Sequence, residues 1–313
     1  MDNKAKREIW VIGSSNVDMI MKMERLPEKG ETVTNASFMQ TFGGKGANSA
    51  VAAARAGGNI KFMNCMGNDV YAPLMLEMYA NEGMDVSLVR QEKDISSGTA
   101  LVMIGDAGMN YLSVAPGANY KLTPELIDSV KDEMKEASRI VLQCEIPTET
   151  NLRIIELADQ YGIPVQLNLA PATELPMSTY NLIDTLIVNE NEARFLLDQL
   201  GKEMVPDDDL AQALQETGAK EVIVTLGADG GWVVTGDKME HFPAFPVEVV
   251  DTTAAGDTFC GAYAVAVVEG MDNHDAVHFA SAAASLAVSK LGAIPSVPKR
   301  QEIDAFVASS NLQ

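Results

Sequence analysis

The chain has 313 residues, with 44 Asp or Glu against 23 Lys or Arg, 47% hydrophobic residues and 21% charged ones. That length suits two domains or one large α/β domain, and the composition excludes disorder and collagen-like structure. A formal net charge of −21 without clustered Lys or Arg argues against a nucleic-acid binder, because phosphate backbones are held by such clusters.

The first residues are charged and lead into only a short apolar run, which does not make a signal peptide. No stretch reaches the about 18 apolar residues of a membrane span, so a cytoplasmic protein with no membrane partner is expected. β-branched runs at 9–13, 60–65, 140–144, 165–169, 185–188 and 222–226 read as buried strands. Helical patterns at 48–56, 73–81, 123–136, 149–161, 190–200 and 208–217 alternate with them. Thr123-Pro124-Glu125 is a helix start, an N-cap followed by proline at the first helical position. This alternation predicts an α/β fold, a mostly parallel central sheet sandwiched by helices in the Rossmann-like manner.

Two regions depart from that rhythm. Residues 16–42 alternate like strands and carry Pro27 and Gly30, and residues 98–115 read as a hairpin turning at Asp106-Ala107-Gly108. No helix separates these strands, so they predict a small β-sheet lid, a device that excludes water from a reactive group. Beyond residue 250 the chain turns helical at 257–269, 275–291 and 300–309. With no repeat and no linker, residues 1–313 read as one unit with this lid. Cys65, Cys144 and Cys260 lack C-x-x-C spacing, which gives neither a disulfide framework nor a zinc knuckle; Cys144 and Cys260 lie in apolar segments, where buried inert thiols rather than a reactive nucleophile are expected. His241, His274 and His278 form no spaced ligand set.

Four segments carry candidate chemistry. GGKGAN at 43–48 fails the P-loop pattern, with Met39 and Gly46 where Gly and Ser or Thr are needed. It also fails the dinucleotide fingerprint, with Ser49 at the third glycine position. What remains is a turn offering bare amides, one cation and the Asn48 side chain to a small polyhydroxylated ligand; a plain helix-start turn with Lys45 in solvent is the alternative. DTTAAGDTF at 251–259 puts small residues at 254–256, whose uncovered amides and helix dipole suit developing negative charge. Asp257 is then placed to take a proton from an attacking hydroxyl, or else is an ordinary N-cap. NENE at 189–192 ends an apolar strand, so Asn189 and Glu192 either reach phosphate and hydrated Mg²⁺ or cap a helix. TLGADGG at 225–231 is a strand end and glycine turn, open to an adenine nucleotide or to a hairpin.

Taken in order, these segments resemble the ribokinase-like family of ATP-dependent carbohydrate kinases over nearly the whole chain. Asn16-Val17-Asp18, Glu145, Asn168-Leu169-Ala170-Pro171 and Gly292-Ala293-Ile294-Pro295-Ser296 extend the match. The pairing of GGKGAN with Asn16-x-Asp18 is most similar to members that phosphorylate the 5-hydroxyl of D-ribose. The resemblance implies that Asn16, Asp18, Gly44, Lys45, Gly46 and Asn48 bind sugar hydroxyls with Glu145 nearby. It implies that Asp257 is the catalytic base and that the amides of Ala254, Ala255 and Gly256 form the anion hole. It also implies that Asn189 and Glu192 hold phosphate and Mg²⁺, while Thr225, Gly227, Ala228, Asp229, Gly230, Gly256 and Ser281 border ATP. A K⁺ site of Asp251, Thr253, Ala287, Lys290, Gly292 and Ser296, and a homodimer paired through the lid, complete what the resemblance implies. Leu169 stands where the family more usually has proline. A kinase for 2-deoxyribose, a ketohexose or a nucleoside is the near alternative, and a non-catalytic sugar sensor the distant one. A nicotinamide dehydrogenase is disfavoured, because no dinucleotide fingerprint follows the first strand.

Overall fold

The computed structural model describes residues 7–105, 110–202 and 204–310. In chain order its strands are β1 (Glu8–Ile12), β2 (Asn16–Met23), β3 (Ser37–Gly43), β4 (Asn59–Gly67), β5 (Asp85–Glu92), β6 (Gly98–Gly105), β7 (Asn110–Ala115), β8 (Arg139–Leu142), β9 (Val165–Asn168), β10 (Thr185–Asn189), β11 (Glu221–Thr225), β12 (Gly231–Thr235) and β13 (Lys238–Phe242). Its helices are α1 (Lys45–Arg55), α2 (Ala72–Asn81), α3 (Pro124–Met134), α4 (Thr148–Tyr161), α5 (Met177–Tyr180), α6 (Glu190–Gln199), α7 (Leu210–Leu214), α8 (Ala255–Glu269), α9 (Asn273–Val288) and α10 (Arg300–Ser310).

The large sheet runs β13-β12-β11-β10-β9-β8-β1-β4-β5. Its pairs are parallel except β11 with β12 and β12 with β13. Alternate side chains of a strand enter opposite faces, and β1 shows both filled. Ile9 and Val11 join the core under α1, α8 and α9, whereas Trp10 and Ile12 join the core under α3, α4 and α6. A strand buried on both sides must be apolar throughout, which is why these runs were legible.

The predicted strands all appear, and β5, β12 and β13 are additional. β5 reads DVSLVRQE because it is a half-exposed edge, and β12 and β13 form a hairpin about Gly236 and Asp237 at the other edge. The expected helix at 48–56 begins at Lys45, with Gly44 as its cap. The 208–217 pattern breaks into a short helix, α7, between two 3₁₀ turns. α9 stops at Val288 rather than 291.

A second, smaller sheet has the order β3-β2-β6-β7. β2 runs parallel to β6 and antiparallel to β3, so this sheet is mixed. β6 and β7 form the hairpin expected at 98–115; its turn at Asp106-Ala107-Gly108 lies outside the described residues.

Candidate active site

The parallel strands deliver their chemistry to one edge. Glu145 follows β8, Asn168 and Asn189 end β9 and β10, and Thr225 ends β11, while α1 and α8 both begin there. α1 and α8 pack closely because Gly261 has no side chain: a Cβ at this position would lie 2.4 Å from the Ser49 carbonyl oxygen. That contact brings the first turns of the two helices together.

At the start of α1 the amides are not bare, contrary to the expectation from GGKGAN. Lys45 N–H donates to Glu145 Oε2 (2.9 Å), Gly46 N–H to Ser14 Oγ (3.2 Å), and Ala47 N–H to the Ser14 carbonyl (2.8 Å). Ser14 Oγ in turn donates to Glu145 Oε2 at 2.5 Å. Glu145 therefore straps the turn to β8. Gly46 serves packing, since a Cβ there would meet Ser14 N at 2.4 Å and the Gly13 carbonyl carbon at 2.6 Å. Gly44 has φ 92°, a left-handed conformation open to glycine.

At the start of α8, Ala254 is the cap, with φ 60°. Asp257 is therefore not an N-cap. It is the third residue of the helix, buried, and its Oδ2 accepts from Asn48 Nδ2 at 2.8 Å. Among the described residues no acceptor takes the N–H of Gly256 or of Asp257. Two free amides at a helix N-terminus attract negative charge.

Two cavities meet at this point. One, of 160 Å³, is polar and is lined by Lys45, Asn168, Asn189, Glu192, Ala254 and Asp257 among others. The other, of 380 Å³, is apolar and takes Gly227, Ala228, Gly230, Phe242, Val247 and Ser281 into its wall. Thr225, Thr252, Ala255 and Gly256 line both. Asp229 lines neither; its carbonyl faces His241 Nε2 at 3.0 Å, so its expected place at the nucleotide is not supported. Ser281 Oγ donates to the Pro243 carbonyl at 3.0 Å. The 225–231 segment is thus both hairpin turn and cavity wall.

Asn189 and Glu192 form a complete capping box at the start of α6, each side chain accepting from the other's amide. The plain helix-cap alternative is thus realised, yet Glu192 also lines the polar cavity. Burial raises its carboxyl above the usual range, against the pull of the Asn189 amide and Lys45. Lys45 is itself raised, chiefly by Asp257 and also by Glu145 and Glu192. Asp18, on β2, is pushed up to about 7 by burial and then by the Glu145 and Asp257 charges. Lys45 thus answers three carboxyl groups, Asp257, Glu145 and Glu192. Asn16, Asp18 and Asn48 line neither cavity; Asn16 and Asp18 sit on β2 of the small sheet, and Asn48 on α1 reaches the polar cavity through its bond to Asp257.

Beside α8, Asp251 Oδ1 accepts from Thr253 N–H (2.9 Å) and Oγ1 (2.6 Å), and its Oδ2 from Gly292 N–H (2.9 Å). Burial alone would raise this carboxyl, but those hydrogen bonds outweigh it and hold it below the usual value. Ala287 and Ser296 are buried nearby in sequence, whereas Lys290 pairs with Glu302 at 3.0 Å.

Sequence reasoning passed over Ser14 and Asn119. Asn119 is buried in the 3₁₀ turn Gly117–Lys121 and bonded to Ser15 and Asn16. The three cysteines are buried and unpaired, and burial pushes Cys65 and Cys144 up to about 12.

Residues 6–300 match the pfkB family carbohydrate kinase. The chain is 36% identical over 302 residues to the ribokinase of Bacillus subtilis (strain 168), covering 96% of this chain and 100% of that protein. It is 34% identical over 305 residues to a deoxyribokinase of Salmonella typhi, covering 96% and 99%. A bifunctional ribokinase/ribose-5-phosphate isomerase A of Fructilactobacillus sanfranciscensis is 37% identical over 302 residues, 95% of this chain, which spans 55% of that longer protein. The structure of Arabidopsis thaliana ribokinase complexed with ribose and ATP has a TM-score of 0.89 at 34% identity, covering 96% of this chain and 98% of that one. The chain belongs to the pfkB family of carbohydrate kinases.

Proposed function

We propose that this chain transfers the γ-phosphoryl group of ATP to the primary 5-hydroxyl of D-ribose. The observation that carries this is Asp257, a buried carboxylate held by Asn48 beside two free amides, where a polar and an apolar cavity meet. Similarity across the whole chain to ribokinases favours ribose over other sugars.

Adenine and ribose of ATP occupy the apolar cavity, and the phosphates lie over the Gly256 and Asp257 amides; the Ala255 N–H, expected in the anion hole, donates instead to the Thr252 carbonyl. Asn16, Asp18 and Lys45 orient the sugar, and the small sheet acts as a lid over it. Asp257 accepts the hydroxyl proton as the sugar oxygen bonds to the γ-phosphorus and the bond to the β–γ bridging oxygen breaks, releasing ADP. The free amides of Gly256 and Asp257, with Lys45, offset the charge that builds on the transferring group.

The acidic groups present fit Mg²⁺ held mainly by phosphates. Among the described residues no three His, Cys, Asp or Glu side chains form a ready metal cage, and Glu192 keeps Oε1 outside its capping bonds. Mg²⁺ bound here would supply charge neutralisation at the ATP phosphates, with Glu192 and Asn189 the residues placed to help hold it. The oxygen-rich loop of Asp251 and Thr253 with the 287–296 carbonyls suits K⁺, a hard cation, which would stiffen the turn before α8. Met21, Phe38, Leu101 and Tyr111 leave one side of the small sheet with an exposed apolar face, through which two copies pair. No helix among the described residues is long and apolar enough to cross a membrane, and a cytoplasmic location is part of the proposal.

ATP consumption with Mg²⁺ and K⁺, compared across D-ribose, 2-deoxy-D-ribose, fructose and adenosine, tests the assignment. Preferred turnover of ribose supports it. Preference for another acceptor keeps the mechanism and changes the substrate. Sugar binding without turnover would point to a sensor.

A further inference from the structure

The Asn16 side chain has an amide whose two ends differ only in being acceptor or donor, and the structure determines which end is left without a protein partner. The determination starts at a group that cannot be reversed. Ser15 N–H can only donate, and it does so to Asn119 Oδ1 at 2.9 Å. The other end of the Asn119 amide is then Nδ2, a donor, and it reaches Asn16 Oδ1 at 2.8 Å. Asn16 Oδ1 is thereby turned toward Asn119, and its Nδ2 is the end left without a partner. Among the described residues no acceptor takes that Nδ2, and it is not sealed from solvent.

The surroundings are built for this arrangement. Asn16 lies in register between Gly43 on β3 and Gly98 on β6. A Cβ on Gly98 would come within 2.2 Å of both Asn119 Nδ2 and Asn16 Oδ1. Asn119 is itself 1% exposed, so water does not compete for either bond. Asn119 lies 103 residues from Asn16, in a turn that touches neither cavity.

We infer that Asn119 is a positioning residue: it locks the orientation of the Asn16 amide so that Asn16 presents its Nδ2, a hydrogen-bond donor, to an oxygen of the sugar. This rests on the proposal that Asn16 belongs to the sugar site. It assigns the 117–121 turn a part in sugar selection, because a hydroxyl oxygen at that point can accept, whereas a missing hydroxyl leaves the Asn16 NH₂ unpaired.

The test is a double-mutant cycle of Asn16→Ala and Asn119→Ala, read as ribose affinity by calorimetry and as KM and kcat. Asn119→Asp is a second variant; it still accepts from Ser15 N–H but turns an acceptor toward Asn16, so Asn16 must reverse. The expected result is that Asn119→Ala and Asn119→Asp each weaken ribose binding by about tenfold or more, the loss of one hydrogen bond. KM for ATP stays unchanged, and Asn119→Ala has no further effect once Asn16 is Ala. If the two substitutions add fully, or if Asn119→Asp folds and binds ribose normally, Asn119 does not act through Asn16 and the inference falls. If Asn16→Ala alone leaves ribose affinity unchanged, the assignment of Asn16 to the sugar site fails instead, and the inference falls with it.

Discussion

Asn48 Nδ2 donates a hydrogen bond of 2.8 Å to Asp257 Oδ2 across 209 residues of sequence, joining the first turns of α1 and α8 in the protein interior. The bond occupies one carboxylate oxygen of Asp257 and leaves Oδ1 for a reacting hydroxyl. Asn48 Oδ1 is buried and has no partner, so its side chain serves Asp257 through Nδ2. The residue read from the sequence as a sugar ligand is thus placed as an orienter of the carboxylate. Asn48→Ala is expected to lower kcat by about 100-fold, the cost of a base displaced by about an ångström, with a smaller change in sugar affinity. Steady-state kinetics beside calorimetric ribose binding separates the two effects; a rise in KM alone would return Asn48 to the sugar.

Asp18 gives the site a pH dependence. Its carboxyl is raised to about 7 by burial and by Glu145 and Asp257, so below that pH it is mostly protonated in the free protein. A protonated carboxyl accepts poorly from a sugar hydroxyl, so ribose affinity is expected to rise about tenfold between pH 6 and pH 8. Asn in place of Asp18 should bind weakly with a flat profile. The effect on stability has the opposite sign. A carboxyl raised on folding contributes stability at low pH, and that contribution is lost as pH rises through about 7. Melting temperatures of wild type and Asp18→Asn from pH 5 to 8 should diverge in the variant's favour at the alkaline end.

Two glycines of the site separate packing from chemistry. Gly46→Ala forces a Cβ to 2.4 Å from the backbone of Ser14, where nothing flexible can yield, and a loss of about 1–3 kcal/mol is expected in urea unfolding. Gly256→Ala meets nothing within 4 Å and sits in the first turn of α8, so stability should hold or improve. If Gly256 lies under the phosphates, the same variant should lose about tenfold or more in kcat/KM for ATP. A Gly256→Ala protein with unchanged ATP kinetics would remove the phosphates from this turn.

Asp251 organises the turn that precedes Ala254 through three hydrogen bonds from Thr253 and Gly292. Its carboxyl is held below the ordinary value, so its contribution is present at neutral pH and is lost as pH falls from about 4 through the lowered folded value. Asp251→Ala should lower kcat and abolish any stimulation by K⁺, measured as the ratio of turnover in K⁺ and in tetramethylammonium. Retained K⁺ stimulation would place the cation elsewhere.

Much of the fold was legible because burial on both faces leaves an apolar signature in β1, β8, β9, β10 and β11. β5 escaped because none of its residues is fully buried at this edge, and β12 and β13 because their short hairpin shows only as Gly236-Asp237 between two brief runs. At the site, residue types were legible and their partners were not. GGKGAN suggests free amides, yet Ser14 and Glu145, from other parts of the chain, take them. Asp257 has the local look of a cap, and only the left-handed turn at Ala254 moves it to the third helical position. Asn119 carries no local signal, since its role lies in contacts with β2.

The central claim is that Asp257 is the base, and Asp257→Asn tests it most directly, because the amide keeps the shape and cannot take the proton. Turnover of ATP with ribose should fall by about 10²–10⁴-fold or more, while calorimetry shows ribose still bound with affinity changed by no more than about threefold. Ordinary turnover in this variant would contradict the account, whatever the sugar.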